Sequence, residues 1–279
     1  MCPLKTWSSR KPPSLNKIAL PGKVWIASDI HLGPDVPRTA RAFYDFLDEA
    51  CAKADALLLC GDIFDAWIGD DLAMSTTEDW LLQAVDALRR TSARLPLWLG
   101  HGNRDFLLGK SFAQHVGAQM LPDKVELDTQ AGKAILSHGD EYCVDDRAYQ
   151  RYRRLVRNKA VQRLFLALSR DMRRKIAEQA RRRSKAGHQY KSSMLMDVAP
   201  SAIEKAFFDT NAELLVHGHT HKPAIHTLTV NKKIRQRIVL PDWEFDHVMP
   251  HRGGWLSLDE RGASLNRWPP ARRLEPPGR

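Results

Sequence analysis

At 279 residues, 43% of them hydrophobic and 27% charged, the chain can build one large or two small α/β units and is too apolar to be disordered. Its net charge of +10 is concentrated between residues 147 and 191, with sixteen Lys/Arg against Asp171 and Glu178, so an anionic partner (nucleic acid, lipid head group or phosphorylated substrate) is expected at that segment rather than everywhere. No apolar run approaches the roughly 18 residues of a bilayer span, the start lacks an apolar signal region, and Cys2, Cys51, Cys60 and Cys143 form no paired motif, so a cytoplasmic protein with reduced thiols is expected.

Residues 1–21 are rich in Pro, Ser and Lys and are read as a loose tail. Residues 24–28 (VWIAS) predict a strand, and 38–53 a helix through Ala42, Phe46, Leu47 and Ala50. A second strand at 56–60 stops at Gly61-Asp62. Trp67 follows in a polar loop and looks exposed. Residues 78–90 then predict a helix, 95–99 a strand, 111–116 a short helix and 133–137 a strand. This alternation argues for parallel strands flanked by helices. It breaks at Asp145, and 147–196 reads as helical, with Val161, Leu164, Phe165, Leu168, Met172 and Ile176 on one spacing. A helix at 200–209 and a strand at 214–216 resume the alternation. Antiparallel hairpins are expected from 225–230, 235–240, 254–258 and 264–268. Residues 269–279 read as a frayed C-terminal tail.

Five of these strand-like runs end in metal-ligand side chains: Asp29 and His31, Asp62, Asn103, His138, and His219 and His221. Strand ends are where open α/β sheets place their chemistry. Each fragment alone has a common explanation: a helix cap for Asp29 or Asp62, a turn for Asn103, a hydrogen-bonded structural histidine for His138. Together they form a set suited to two divalent cations. Asp29, His31 and His221 would hold one ion, Asn103, His138 and His219 the other, and Asp62 would be shared. Imidazole, amide and carboxylate without thiolate favour Mn²⁺, Fe²⁺, Zn²⁺ or Mg²⁺.

The series Asp-x-His (29–31), Gly-Asp-x-x-Asp (61–65), Gly-Asn-Arg-Asp (102–105), His-Gly-Asp (138–140) and Gly-His-Thr-His (218–221) resembles the calcineurin-like metallophosphoesterases. Phe64-Asp65-Ala66-Trp67-Ile68-Gly69-Asp70-Asp71, His101-Gly102-Asn103-Arg104-Asp105-Phe106-Leu107, His138-Gly139-Asp140-Glu141-Tyr142-Cys143 and Met196-Asp197-Val198 are more specific. They are similar to the branch that hydrolyses UDP-2,3-diacylglucosamine to 2,3-diacylglucosamine 1-phosphate and UMP in lipid A biosynthesis. The resemblance implies an α/β, four-layer αββα sandwich formed by 22–145 and 197–268, with 146–196 as a helical lid insertion. It also implies two metal ions, usually Mn²⁺, and a peripheral position on the cytoplasmic face of the anionic inner membrane; no nucleic-acid partner is expected, and a monomer is. Asp62, Asn103, Arg104 and His138 would be catalytic. Asn103, Arg104, Asp146, Tyr149, Arg181, Ser184, His188, Lys191 and His219 would meet the sugar nucleotide. His188 departs from the family's Asn, and Asp65 from its usual Glu.

Two acyl chains need an apolar groove, for which Phe165, Leu168, Met172, Ile176 and Met196 are the candidates, with ordinary core packing the competing reading. Most superfamily members carry His after the Asn, where it can protonate a leaving alkoxide. Arg104 cannot act as an acid, but its planar fork suits phosphate oxygens. A phosphoanhydride tolerates that exchange because its leaving group is itself a stable phosphate. The expected reaction is therefore attack by metal-activated hydroxide on the uridine-side phosphorus. Another calcineurin-like phosphodiesterase or a nuclease, using the basic segment on nucleic acid, is the alternative.

Overall fold

The structure, a computed structural model, describes residues 15–190 and 197–270, apart from the side chains of 181–190. The first half runs β1 (Asn16–Leu20), β2 (Val24–Ala27), α1 (Pro37–Lys53), β3 (Ala56–Leu59), α2 (Asp71–Met74), α3 (Asp79–Ser92), β4 (Leu97–Leu99), α4 (Lys110–His115), β5 (Gln119–Met120), β6 (Lys124–Thr129) and β7 (Gly132–Ser137). Three helices follow, α5 (Arg147–Val156), α6 (Lys159–Leu166) and α7 (Arg170–Tyr190). The remainder is α8 (Pro200–Asp209), β8 (Leu214–His217), β9 (Ala224–Val230), β10 (Lys233–Val239), β11 (Gly254–Asp259) and β12 (Gly262–Arg267).

Among the described residues the strands form two six-stranded sheets, ordered β1-β6-β7-β8-β10-β9 and β12-β11-β2-β3-β4-β5. Strand alternation sets the layers. In β2, Val24 and Ile26 join Leu58, Leu136, Val216 and Ile238 in the core between the sheets. Trp25 and Ala27 point the other way, toward Phe43, Phe46, Leu81 and Leu88 of α1 and α3. On the far side, Ile203, Ala206 and Phe207 of α8 cover Ile135 and Leu215. The order helix, sheet, sheet, helix is the expected four-layer α/β sandwich. Parallel pairing of β2, β3 and β4, and of β7, β8 and β10, brings their C-terminal ends to one edge of each sheet.

Two expectations are corrected. The end of the supposed loose tail is strand β1, pairing parallel with β6 from Asn16↔Val125 to Leu20↔Thr129. Ile18 and Leu20, two residues apart, pack on the core between the sheets, and the polar residues flanking them mask that alternation in the composition. Trp67 is not exposed: at 2% accessibility, its ring sits 4.5 Å from Phe64 and 4.7 Å from Phe112. The polar residues around it serve this burial. Asp70 accepts from the Trp67 indole N–H (3.0 Å) and from the backbone N–H groups of Gly109 and Phe112 (both 2.9 Å). The sequence reading also passes over β5 and β6.

The helices from α5 to α7 are tied to the core by their arginines. The spacing from Val161 to Ile176 is interrupted between α6 and α7. Arg153 Nε donates to Asp140 (2.7 Å), and Arg157 donates to Asp123 (2.8 Å) and to the Gly102 carbonyl (3.1 Å). Arg173, itself 4% exposed, donates to the Ile68 carbonyl (2.7 Å) and to both oxygens of Asp71. Arg170 joins it on Asp71 (3.0 Å), and Arg174 reaches Glu78 (3.1 Å). Among the described residues, five of the sixteen local cations are therefore used in attachment. Apolar side chains meanwhile face outward: Leu164 is 73% exposed, Met172 51%, Ile176 41% and Leu168 37%.

Phe46 is the centre of the aromatic layer beneath α1, with ring centroids of Trp25, Trp243, Trp255 and Trp268 5.2–5.7 Å away. Phe46→Ala should destabilise the protein by about 3–5 kcal/mol, because the packed rings around it cannot close the cavity. Urea denaturation followed by tryptophan fluorescence measures this; a loss below about 1 kcal/mol, as for a surface substitution, would contradict the packing described.

Candidate metal centre

The centre is built from loops leaving β2, β3, β4, β7 and β8. After β2, β3 and β8 the backbone turns through the left-handed region: Asp29 (φ 57°), His31 (56°), Asp62 (51°), His219 (64°) and His221 (53°). Such conformations are costly for residues with a Cβ. They persist here because the loops lock one another. Asp105, fully buried, accepts backbone N–H groups from Asp62 (3.1 Å), Ile63 (2.7 Å) and Gly102 (2.7 Å). Asp62 Oδ1 in turn accepts from the Arg104 N–H (2.8 Å), and Asp29 Oδ2 from the His219 N–H (3.0 Å). Gly102 is required at this approach: a Cβ there would lie 2.0 Å from Asp62 Oδ1.

The seven side chains singled out from the sequence converge. On one side, His221 Nε2 lies 3.3 Å from Asp29 Oδ1 and 3.4 Å from His31 Nε2. On the other, Asn103 Oδ1 lies 2.8 Å from His219 Nδ1 and 3.1 Å from His138 Nε2. Asp62 Oδ2 stands between, 3.8 Å from both His31 Nδ1 and His138 Nε2. Donor atoms of Asp29, His31 and His221, and of Asp29, Asp62 and His138, fall within 4.8 Å of one another in each group. Asp29 thus belongs to both groups, a sharing the sequence reading assigned to Asp62 alone.

The donors suit divalent cations. His31 Nδ1 is buried without a hydrogen-bond partner among the described residues, a costly arrangement unless a cation takes the lone pair. His138 Nδ1 donates to the Cys60 carbonyl (3.1 Å), which leaves Nε2 free to ligate.

Electrostatics agree. Burial, with the charges of Asp105 and Asp29, pushes the Asp62 carboxyl up to about 7 against the pull of His138 and Arg104. Burial would lower His138, but Asp62 and Asp29 outweigh it and raise the imidazole to about 9. Burial and His138 lower His219 to about 4. Burial also works to raise Asp29, yet its hydrogen bond to His221 and nearby imidazoles hold it far below the usual carboxylate range.

Around the centre, Arg104 pairs with Asp65 and lies 3.7 Å from Asp62; its side chain is 36% exposed. The Tyr149 ring stacks against His219 with centroids 6.0 Å apart, and its hydroxyl donates to Asp140 (2.7 Å). Asp146 caps α5, accepting from the Tyr149 N–H (3.0 Å). Lys191 and Met196, with the side chains of Arg181, Ser184 and His188, lie outside the described residues. Sequence reasoning missed Asp242, which follows β10 and lies 3.5 Å from His221 Nδ1. A sixth strand end carrying an acid, Leu240-Pro241-Asp242, is the signal that could have found it.

The calcineurin-like phosphoesterase family profile matches residues 22–223. A Bordetella parapertussis protein named UDP-2,3-diacylglucosamine hydrolase is 51% identical over 248 residues, covering 89% of this chain and 96% of its own. Proteins of the same name from Serratia proteamaculans and Shewanella baltica are 42% and 39% identical, covering 80% and 86% of this chain and 91% and 95% of theirs.

Because ligating groups must be deprotonated, the raised values at Asp62 and His138 set the sign of a pH effect. From pH 6 to 8 the metal-free protein should bind Mn²⁺ more tightly as pH rises, by roughly tenfold per pH unit for each proton displaced. Calorimetry in buffers of differing ionisation enthalpy should show proton release on binding. Affinity that is flat with pH, without proton release, would rule out these two groups as ligands.

Proposed function

The chain belongs to the calcineurin-like phosphoesterase family, metal-dependent hydrolases, and on that premise we propose that it hydrolyses the pyrophosphate bond of UDP-2,3-diacylglucosamine, releasing 2,3-diacylglucosamine 1-phosphate and UMP for lipid A biosynthesis. The identity of 39–51% across most of the chain to proteins bearing that name carries the reading. Arg104 supports it independently: a cation unable to donate a proton suits a leaving group that needs none.

In this reading Asp29, His31 and His221 hold one divalent ion and Asn103, His138 and His219 a second, with Asp62 between and Mn²⁺ as the metal. When bound, the pair supplies a nucleophile from water at neutral pH and neutralises charge on the phosphoryl oxygens. The protein's own groups orient the substrate. Arg104, a third exposed beside Asp62, meets the non-bridging oxygens and stabilises the charge that gathers there as the uridine-side phosphorus is attacked. Tyr149, held by Asp140 against His219, closes the site on the side of α5. With Asp146, Arg181, Ser184, His188 and Lys191 it forms the sugar-nucleotide face of a lid spanning residues 146–196.

The outward apolar side chains support the acyl role of the same segment. Phe165, Leu168, Met172, Ile176 and Met196 would line the acyl groove. Leu168, Met172 and Ile176 are exposed rather than consumed in the core, and the surrounding cations suit the anionic cytoplasmic face of the inner membrane, at about 1 kcal/mol for each near the surface. No helix among the described residues is long and apolar enough to cross a membrane, so the contact in this reading is peripheral.

An assay with Mn²⁺ should release UMP from UDP-2,3-diacylglucosamine and leave bis(p-nitrophenyl) phosphate and single-stranded DNA essentially uncut; preferential cleavage of DNA would replace this reading with a nuclease. Chelation should abolish turnover and Mn²⁺ restore it. Asp62→Asn should remove activity by at least about 10³-fold while the protein keeps its circular dichroism spectrum. Arg104→Ala should lower kcat rather than merely raise KM, as expected of a contact made in the transition state.

A further inference from the structure

The two histidines at the heart of the centre are braced differently. His138 Nδ1 donates to a neutral group, the Cys60 carbonyl (3.1 Å). His221 Nδ1 instead faces a carboxylate, Asp242 Oδ2 at 3.5 Å, while its Nε2 faces Asp29 and His31. The fold places Asp242 there. β8 and β10 pair in parallel, with His217 opposite Val239, so the loop bearing His221 and the loop bearing Asp242 leave neighbouring strands at the same edge. The Trp243 N–H then donates to the Asp29 carbonyl (3.0 Å), fixing the second loop to the first ligand.

Asp242 is 2% exposed, and a buried carboxylate needs a partner. Arg252 supplies one through Nε (3.1 Å) and Nη2 (2.8 Å) to Oδ2. Its own backbone is held by reciprocal hydrogen bonds with Glu244 (2.8 and 3.0 Å). The pair is thus oriented before any ligand arrives. At 3.5 Å the carboxylate is an ion-pair partner rather than a hydrogen-bond acceptor of Nδ1. Its charge favours a proton on that nitrogen, which leaves the Nε2 lone pair toward the centre and a stronger donor to a cation.

We propose that Asp242, held by Arg252, is a positioning residue that acts through His221 on one of the two metal sites only, the one formed with Asp29 and His31. This rests on the dinuclear reading above. It makes the two sites unequal by construction: one histidine is polarised by a charge, the other by a carbonyl. Removing the carboxylate therefore weakens one ion and spares the other.

Calorimetric titration of the metal-free full chain with Mn²⁺ tests this. The parent should show two binding steps, and Asp242→Asn should weaken one by about 10–100-fold with the other unchanged. Arg252→Gln, at a half-exposed position, should weaken the same step because the carboxylate loses its orientation; it serves as the second variant if Asp242→Asn does not fold. A merely structural role would lower both steps together along with the melting temperature of the metal-free protein. Equal weakening of both steps, or no change in either, overturns the proposal. A parent that binds fewer than two ions overturns the dinuclear reading itself, and this inference with it, and is told apart by being seen before any substitution is made.

Discussion

The constraint on which the molecule depends is the left-handed backbone at its strand ends. Five donor residues, Asp29, His31, Asp62, His219 and His221, adopt φ between 51° and 64°, each at a cost of roughly 1–2 kcal/mol. Taken together the cost is comparable with a sizeable part of a domain's net stability. It is offset by the buried strands before each turn and by carboxylates that accept backbone N–H groups after it. Asp105 is the clearest case, since it ties the loop after β3 to the loop after β4. A sharp left-handed turn lets a strand buried on both faces deliver a polar side chain with only one or two residues intervening after its end, as at Asp29, Asp62 and His219.

That arrangement is why the site was legible in sequence. An apolar run that stops at Asp, Asn or His is conspicuous, and five of them marked the convergent groups, although residues as distant as Asp29 and His221 had to meet. The layered fold followed from the same runs alternating with amphipathic helices. What escaped notice was hidden by composition. Ile18 and Leu20 form a strand within a polar, Pro-flanked stretch, Trp67 is buried against Phe64 and Phe112 with its N–H on Asp70 in a loop whose acids make it look exposed, and Val125 and Leu127 alternate along β6 among charged neighbours. Asp242 was overlooked because its contribution is relayed through a histidine, and a single acid after a strand is ordinary in isolation.

The helical segment shows how charge counts mislead when partners are unknown. Sixteen cations against two acids suggested a surface free to meet an anion. Yet Arg153, Arg157, Arg170, Arg173 and Arg174 are committed to acids or carbonyls of the core. The acids lie far away in sequence, so local composition could not show the pairing. The cations left open to solvent, among them Arg151, Lys159, Arg163 and Lys175, share the segment with apolar side chains that also stand outward, Leu164 and Met172. That is the reverse of an amphipathic helix packed on a domain.

The bond from Arg157 to the Gly102 carbonyl has an architectural corollary. Gly102 immediately precedes Asn103, so α5 is mechanically joined to the turn that presents a ligand, while Arg173 fastens α7 beside Trp67. If residues 146–196 meet the substrate as proposed, substrate selection and ion coordination are not independent modules. A chimera that imported residues 147–190 from a distant relative would have to bring matching partners for Asp71, Glu78, Asp123 and Asp140, and would disturb the turn bearing Asn103 through Gly102.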